Sequence, residues 1–280
     1  MAQAAPKTIY SDVRAKAIKM LAQADASEFD VRRLSADADK LTPVDAMGAL
    51  EVKATIAAIG GDYATSITLF DRLLQVTAAQ PEYLRRAIQV AAITGQSFRL
   101  KSLYDKYLGG QDLSVPWKRE MCQLLGFNGW FRESVKLQRE LYDVGEESGM
   151  GDLESLKFPQ SSLDNDDDLG LPVFETERTT ADVLDANGVE DETLAALFSR
   201  SISLLRGRSL PPNAARTVNV VHDDSSSGLF ISFVVKGDPV SAADAEWDLF
   251  GELASEAPKE MMDGVIALGV LAYQGEANAN

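Results

Sequence analysis

Histidine and cysteine are nearly absent from this sequence, in which His222 and Cys122 are the single examples of each. A histidine-rich zinc site is therefore excluded, and so is a disulfide framework, which needs cysteine pairs. A nucleophile activated by histidine would depend on His222 alone, and we expect that residue to be structural or solvated at a strand end. We expect Cys122 to be a small buried apolar residue. The sequence thus predicts no catalytic residue, no metal site and no cofactor.

Long apolar runs are absent too. No stretch approaches the roughly 20 apolar residues that cross a bilayer. Residues 1–10 contain one lysine, and no apolar block follows it, so they are not typical of a secretory signal. We therefore expect a cytoplasmic protein that does not enter a membrane.

Basic residues are scarce in the second half of the chain. Residues 1–150 carry 19 Lys+Arg and 19 Asp+Glu, whereas residues 151–280 carry 8 and 24, which accounts for the net charge of −16. Binding to phosphate backbones needs clustered basic charge, so we expect no nucleic-acid ligand. The acidic half either attracts basic protein surfaces or only keeps the protein soluble.

The sequence does contain a glycine corner that recurs every 34 residues. It occurs as Gly61-Asp62-Tyr63, Gly95-Gln96-Ser97 and Gly129-Trp130-Phe131. Apolar residues three or four positions apart follow each glycine, as on the buried face of a helix. A unit that recurs at this interval indicates stacked helical hairpins.

The period divides this part of the chain into repeats at Met47 to Gln80, Pro81 to Ser114 and Val115 to Ser148. One period earlier lies Ser27-Glu28-Phe29, flanked by further helical runs. We interpret these runs, Val13 to Ala24 and Val31 to Leu41, as an atypical first hairpin, because terminal repeats of a solenoid commonly diverge to cap it.

The repeats resemble tetratricopeptide repeats. Gly61-Asp62-Tyr63 matches the turn of that family in full, Gly129-Trp130-Phe131 matches it in the glycine and the aromatic, and Pro81 and Pro116 suggest the proline between units. The middle unit departs from the family, since Leu100 stands where a small residue is usual. Armadillo-like and other helical hairpins therefore stay open as alternatives.

The resemblance implies that the first helix of each hairpin lines a concave groove that binds a peptide. Carried over by register, the groove positions are Glu51, Thr55, Ile59, Arg85, Gln89, Ile93, Arg119, Gln123 and Phe127. Arg85 and Arg119 lie 34 residues apart, so neighbouring helices would turn both toward one carboxylate or acidic peptide. The alternative is that these arginines are solvated or paired with nearby acids.

Residues 149–177 form a predicted acidic linker. Asp164, Asp166 and Asp168 have the spacing of the first ligands of a calcium-binding EF-hand loop, but Leu169 stands where that loop needs glycine. We therefore interpret the segment as a solvated connection without calcium.

Residues 178–273 read as a small α+β domain. The pattern predicts a short helix that Thr179 or Thr180 caps and Asn187-Gly188 ends, and a second helix over 190–206. It also predicts a β-hairpin of 216–222 with 229–236, and a helix over 239–256. Segments 171–174 and 265–271 could add strands, and residues 261–273 fit either helix or strand.

The sequence therefore predicts a tetratricopeptide-like helical solenoid over residues 10–148, an acidic linker and an α+β domain. The predicted function is a non-catalytic adaptor that binds a peptide or helix of a partner protein in the solenoid groove. The acidic module would be a second docking or homodimerisation surface, for example through the strand edge of the 229–236 hairpin. The alternatives are a chaperone-like or antagonist protein that masks a basic partner, and an enzyme or ligand sensor with its site in the α+β domain.

Overall fold

The structure, a computed structural model, describes residues 6–23, 26–147, 173–208, 212–222, 227–254, 261 and 263–273. It falls into two compact units. The first comprises Met1–Gly109 with Leu205–Pro211, and the second comprises Gly110–Leu204 with Pro212–Asn280. The last predicted hairpin, at residues 115–148, therefore groups with the second unit, whereas the sequence placed it in the repeat domain.

The first unit consists of three helical hairpins. Their helices are α1 (Pro6–Gln23), α2 (Glu28–Leu41), α3 (Ala46–Ile59), α4 (Tyr63–Val76), α5 (Pro81–Ile93) and α6 (Ser97–Tyr107). Side chains cap several helix starts: Asp45 accepts a hydrogen bond from Gly48 N at 2.9 Å and Asp62 accepts one from Thr65 N at 3.0 Å. Consecutive helices of each hairpin pack against each other.

The three predicted glycine corners share one backbone conformation. Gly61, Gly95 and Gly129 have φ of 78°, 73° and 88°, in the left-handed region that favours glycine. The residue after each glycine donates its backbone N–H to the carbonyl five positions earlier, in the pairs Asp62 to Ala57, Gln96 to Ala91 and Trp130 to Leu125. The helical half of the chain is therefore compatible with a helical repeat.

The second unit combines helices with a small sheet. Its helices are α7 (Val115–Gly126), α8 (Phe131–Glu147), α9 (Val173–Asn187), α10 (Asp191–Gly207, whose last residues group with the first unit) and α11 (Pro239–Ala254). Phe198 of α10 lies at the centre of its core, fully buried. Its ring meets Phe131 of α8 and Phe233 of the sheet edge to face, at centroid distances of 6.3 and 5.8 Å.

The sheet has the order β1-β2-β3, with β1 at Pro212–His222, β2 at Ser227–Lys236 and β3 at Ile266–Tyr273. β1 and β2 form the predicted antiparallel hairpin, with Val218 opposite Ile231. β3 pairs in parallel with β2, so residues 266–273 of the segment that fitted either helix or strand form a strand. Because β2 is the middle strand, residues 229–236 have no free edge, and the edge strands of the described sheet are β1 and β3.

Helix α9 begins at Val173, within the predicted linker, and continues through Thr180, which is buried. The helix predicted to start after Thr179 or Thr180 thus begins earlier than expected, although it ends at Asn187 as predicted, and Val173 and Phe174 do not form a strand. The acidic run at 164–168 lies outside the described residues. Helix α10 confirms the helix predicted over 190–206.

Candidate functional site

A buried carboxylate on α3 binds side chains of α1 and α5 in the first unit. Glu51 of α3 is 1% exposed. Arg86 Nε of α5 donates a hydrogen bond to Glu51 Oε1 at 3.1 Å, and Arg14 Nε of α1 lies 3.0 Å from the same oxygen as an ion pair. The Tyr10 hydroxyl of α1 donates to Glu51 Oε2. Three helices therefore converge on one acidic side chain.

Helix α1 packs against α3. The two helices share an apolar core with α2, to which the buried residues Val13, Ala17, Leu34, Ala38, Leu41, Ala49 and Val52 contribute. Glu51 and Thr55 are buried beneath this packing, and Thr55 Oγ1 donates to the Glu51 backbone carbonyl at 3.0 Å. Neither residue offers surface to a partner, so Glu51 and Thr55 are set aside as contact residues.

Burial dominates the electrostatics of this cluster. It raises the pKa of Tyr10 far above its ordinary value, and the Glu51 charge raises that pKa further. Burial and nearby acids raise the pKa of Tyr83 to about 12. Burial lowers the pKa of Arg86, while Glu51 partly offsets that shift. The tyrosines thus stay protonated at neutral pH, and the Tyr10 hydroxyl acts as a hydrogen-bond donor.

An open cavity of about 390 Å³ lies beside this cluster. It is lined by residues of α1 and α5, namely Ser11, Arg14, Ala15, Ile18, Arg85, Arg86 and Gln89. Arg86 Nη1 donates to Gln89 Oε1 at 2.9 Å, and Arg85 is exposed. Arg14 and Arg86 contact Glu51, and Arg85 lines the same cavity, so its charged lining residues are all arginines, which suit an anionic group.

The structure thus brings two sequence-predicted site residues, Arg85 and Gln89, to one cavity. It adds Arg14 and Arg86, which the sequence reasoning missed. Ile59 packs against the core shared by α1, α2 and α3, and Ile93 is half-buried at the end of α5. The other predicted residues are half-buried in the second unit, with Arg119 and Gln123 on α7 and Phe127 at its C-cap. The Arg119 Nε atom is buried without a hydrogen-bond partner among the described residues. That Arg85 and Arg119 serve one groove stays a prediction.

Arg132 of α8 is the centre of a second polar cluster that the sequence did not reveal. Its backbone N donates to Asp191 Oδ2 and its Nη1 to Asp191 Oδ1, both at 3.0 Å. Its Nε donates to Asp185 Oδ1 at 2.8 Å and its Nη2 to the Val189 carbonyl at 2.7 Å. Asp191 therefore caps the start of α8 and fastens it to the turn between α9 and α10.

Burial and charge both shift the pKa values of Arg132 and Asp191. Burial raises the pKa of Asp191 to about 6, although the hydrogen bonds and charge of Arg132 act to lower it. Burial alone would lower the pKa of Arg132, but Asp185 and Asp191 raise it. Since Arg132 occupies both Asp191 oxygens, we interpret the pair as a structural fastening and not as a reactive site.

The residues that could carry catalysis or bind a metal were also located in the structure. Cys122 is buried, as expected, with its Sγ 3.2 Å from Ser134 Oγ. β1 ends at His222, whose side chain lies outside the described part. Within the described ranges, no three His, Cys, Asp or Glu side chains come together as a metal site. In the same ranges, every helix is too short or too polar to span a membrane.

Comparison with known proteins gave no match: no protein-family model, no curated protein and no solved structure corresponds to this chain.

Proposed function

We propose that this protein is a non-catalytic adaptor of the tetratricopeptide-like kind, which binds an acidic peptide segment of a partner protein on the inner helices of its repeats. The 34-residue period and the matching glycine corners support the repeat assignment. The observation that carries the function is the arginine-lined cavity between α1 and α5.

The chemistry of the cavity favours a carboxylate ligand. Arg85 is exposed, while Arg14 and Arg86 each direct one nitrogen at the buried Glu51. Guanidinium groups bind carboxylates through paired, charge-assisted hydrogen bonds. The cavity volume of about 390 Å³ is near the lower end of the range for small-ligand sites, so it suits one or two acidic side chains or a chain end.

A chaperone-like or antagonist role toward a basic partner is the second candidate. The 24 Asp+Glu against 8 Lys+Arg in residues 151–280 favour it, because such a field attracts basic surfaces. Salt separates the two candidates. A complex driven by the whole acidic half weakens steeply between low and high ionic strength, whereas binding at the partly buried cavity depends on salt much less.

Peptide selection on the intact chain tests the proposal. Displayed random peptides are selected first on the wild-type protein, and we expect enrichment of Asp, Glu or a free C-terminal carboxylate. Arg85→Glu is expected to weaken binding of the enriched peptides at least tenfold.

Arg72→Glu is the matched control, since Arg72 is exposed on α4 and does not line the cavity. We expect it to change the affinity less than about twofold, the scale of a remote surface charge. Equal losses in the two variants, or selected peptides without acidic residues, would contradict the proposal.

A further inference from the structure

Helix α11 has two apolar faces, of which one is buried and the other is exposed in the described part of the chain. Its buried face consists of Ala242, Ala245, Leu249 and Leu253, which pack toward the sheet. Ala243, Trp247 and Phe250 also follow helical spacing, but they are exposed. Together with Val240 they form a second row, here named the α11 stripe, at spacings of three, four and three residues.

The α11 stripe is unusually exposed for its composition. Trp247 is 80% exposed, Val240 69% and Phe250 40%, and Leu271 of β3 lies beside them at 48%. An open groove of about 490 Å³ runs between α11 and β3, with Trp247, Phe250 and Leu271 among its lining residues. Contiguous exposed apolar surface of this kind marks an interaction site in a water-soluble unit.

The surroundings of the stripe are acidic. Asp244, one turn from Val240, lies beside the stripe, and Asp248 continues the same side of the helix. Glu246 lines the groove itself. Residues 212–280 carry 11 Asp+Glu against 3 Lys+Arg, so this part of the chain has a negative net charge.

The negative charge beside the α11 stripe favours some binding partners over others. A second copy of the chain would place two sets of acidic side chains side by side, and like charges at close range cost several kcal/mol at an interface. Nucleic acid and anionic lipid are repelled for the same reason. A cationic partner gains from the field and can cover the apolar residues with an apolar face of its own.

The edge of the sheet at β3 favours a partner that binds as a helix and not as an added strand. β3 pairs on one side only within the described sheet, but the N–H of Val270 already donates to Glu246 Oε2 at 2.7 Å. A strand added at β3 would have to displace this carboxylate. The α11 stripe spans residues 240–250, which corresponds to about 15 Å of helix, or about three turns of a partner helix.

We infer that the α11 stripe and the β3 groove form a docking site for a cationic amphipathic helix. Its apolar residues pack on Trp247, Phe250 and Leu271, and its Lys or Arg residues face Asp244 and Asp248. This site lies within the second unit and is independent of the arginine-lined cavity, so either proposal can fail without the other.

The test uses the full chain and a designed, labelled 18-residue helix of leucine and lysine, followed by fluorescence anisotropy. We expect saturable one-to-one binding, at least tenfold weaker for Trp247→Ala and at least fivefold weaker for Asp244→Lys with Asp248→Lys. Phe29→Ala is the matched control, because Phe29 is 72% exposed on α2, and we expect less than a twofold change.

Two further peptides define the specificity. A peptide of the same composition without an amphipathic pattern is expected to bind at least tenfold more weakly, and one with glutamate in place of lysine is expected not to bind. Equal binding of the unpatterned peptide, no binding of the designed helix, or equal effects of Trp247→Ala and Phe29→Ala would overturn the inference. A concentration-dependent dimer that Trp247→Ala abolishes would overturn it in favour of a second copy.

Discussion

At the scale of single residues, Glu51 is a buried charge in the first unit that depends on its neighbours for compensation. A carboxylate that is 1% exposed is stable only when nearby cations and donors compensate for lost water, and here Arg14, Arg86 and Tyr10 do so. Replacing Glu51 by glutamine would leave two partly buried arginines without their counter-charge.

We therefore expect Glu51→Gln to lower the free energy of unfolding by about 2–4 kcal/mol. Urea denaturation followed by circular dichroism measures it. Glu82→Gln, at an exposed position of α5, is the control and is expected to change stability by less than about 0.5 kcal/mol. Similar effects of the two substitutions would show that the cluster does not hold the helices together.

Asp191 gives a second prediction at this scale, because burial raises its pKa to about 6. An aspartate that binds its proton more tightly when folded stabilises the fold below its unfolded pKa of about 3.9, and this contribution is lost as the pH rises through 6. The span of the shift corresponds to about 3 kcal/mol.

We thus expect the stability of the wild-type protein relative to Asp191→Asn to increase by up to about 3 kcal/mol as the pH falls from 7 to 4. Unfolding free energies of both proteins, measured at half-unit pH steps, give the difference directly. A difference that is flat between pH 7 and 4, or that decreases, would contradict the raised pKa.

At the scale of elements, the glycine corner of α7–α8 does more than turn the chain. A Cβ on Gly129 would lie 2.8 Å from the Ala195 backbone nitrogen of α10, whereas a Cβ on Gly188, also at positive φ, would meet nothing within 4 Å. Gly129 therefore permits the close approach of α10, and Gly188 only permits its turn.

Gly188→Ala is expected to cost about 1–2 kcal/mol, since only left-handed strain is added. Gly129→Ala is expected to cost about 2–5 kcal/mol, because the α10 backbone must also move. Both residues belong to the second unit, so unfolding of that unit reports on both. Equal costs for the two substitutions would mean that α10 does not approach the corner this closely.

Helical elements could be predicted because their signals are local. The glycines at 61, 95 and 129 and the apolar spacing after them define the hairpins without any distant contact. Strand β3 could not be assigned, since its run from Ile266 is apolar at every spacing and only pairing with β2 decides its conformation. The buried face of α11 could not be assigned for a related reason, because two apolar rows lie on one helix.

The candidate site was predictable only in part. Arg85 and Gln89 follow from register in a resembling family, but Arg14 and Arg86 depend on α1 lying across α3 and α5, which is a long-range contact. The available signal was weaker: Arg14 sits between the apolar residues Val13 and Ala17, on a helix side that packs. Charge at such a position indicates a buried partner.

At the scale of the whole molecule, the division into units determines which fragments of the chain keep a complete core. Helices α7 and α8 pack with α10 through Phe131, Gly129 and Arg132, so they complete the core around Phe198. A fragment that begins at residue 151 loses this cover, whereas one that begins at residue 110 keeps it.

We expect fragment 110–280 to unfold cooperatively in urea and fragment 151–280 to unfold gradually, with strong binding of an apolar dye. The reason is that the second fragment exposes Phe198, which is fully buried in the intact unit. Near-ultraviolet circular dichroism and dye fluorescence measure the difference. A cooperative 151–280 fragment would mean that the α+β part needs no cover from α7 and α8.

The measurement that tests the account most directly is a charge exchange at the arginine-lined cavity. Isothermal titration compares a selected acidic peptide with its lysine-substituted form, each against the wild-type protein and Arg85→Glu. We predict that the wild-type protein binds the acidic peptide at least tenfold more tightly than the lysine form, and that Arg85→Glu removes or reverses this preference. An unchanged preference in Arg85→Glu would contradict the assignment of the cavity between α1 and α5 as the peptide site.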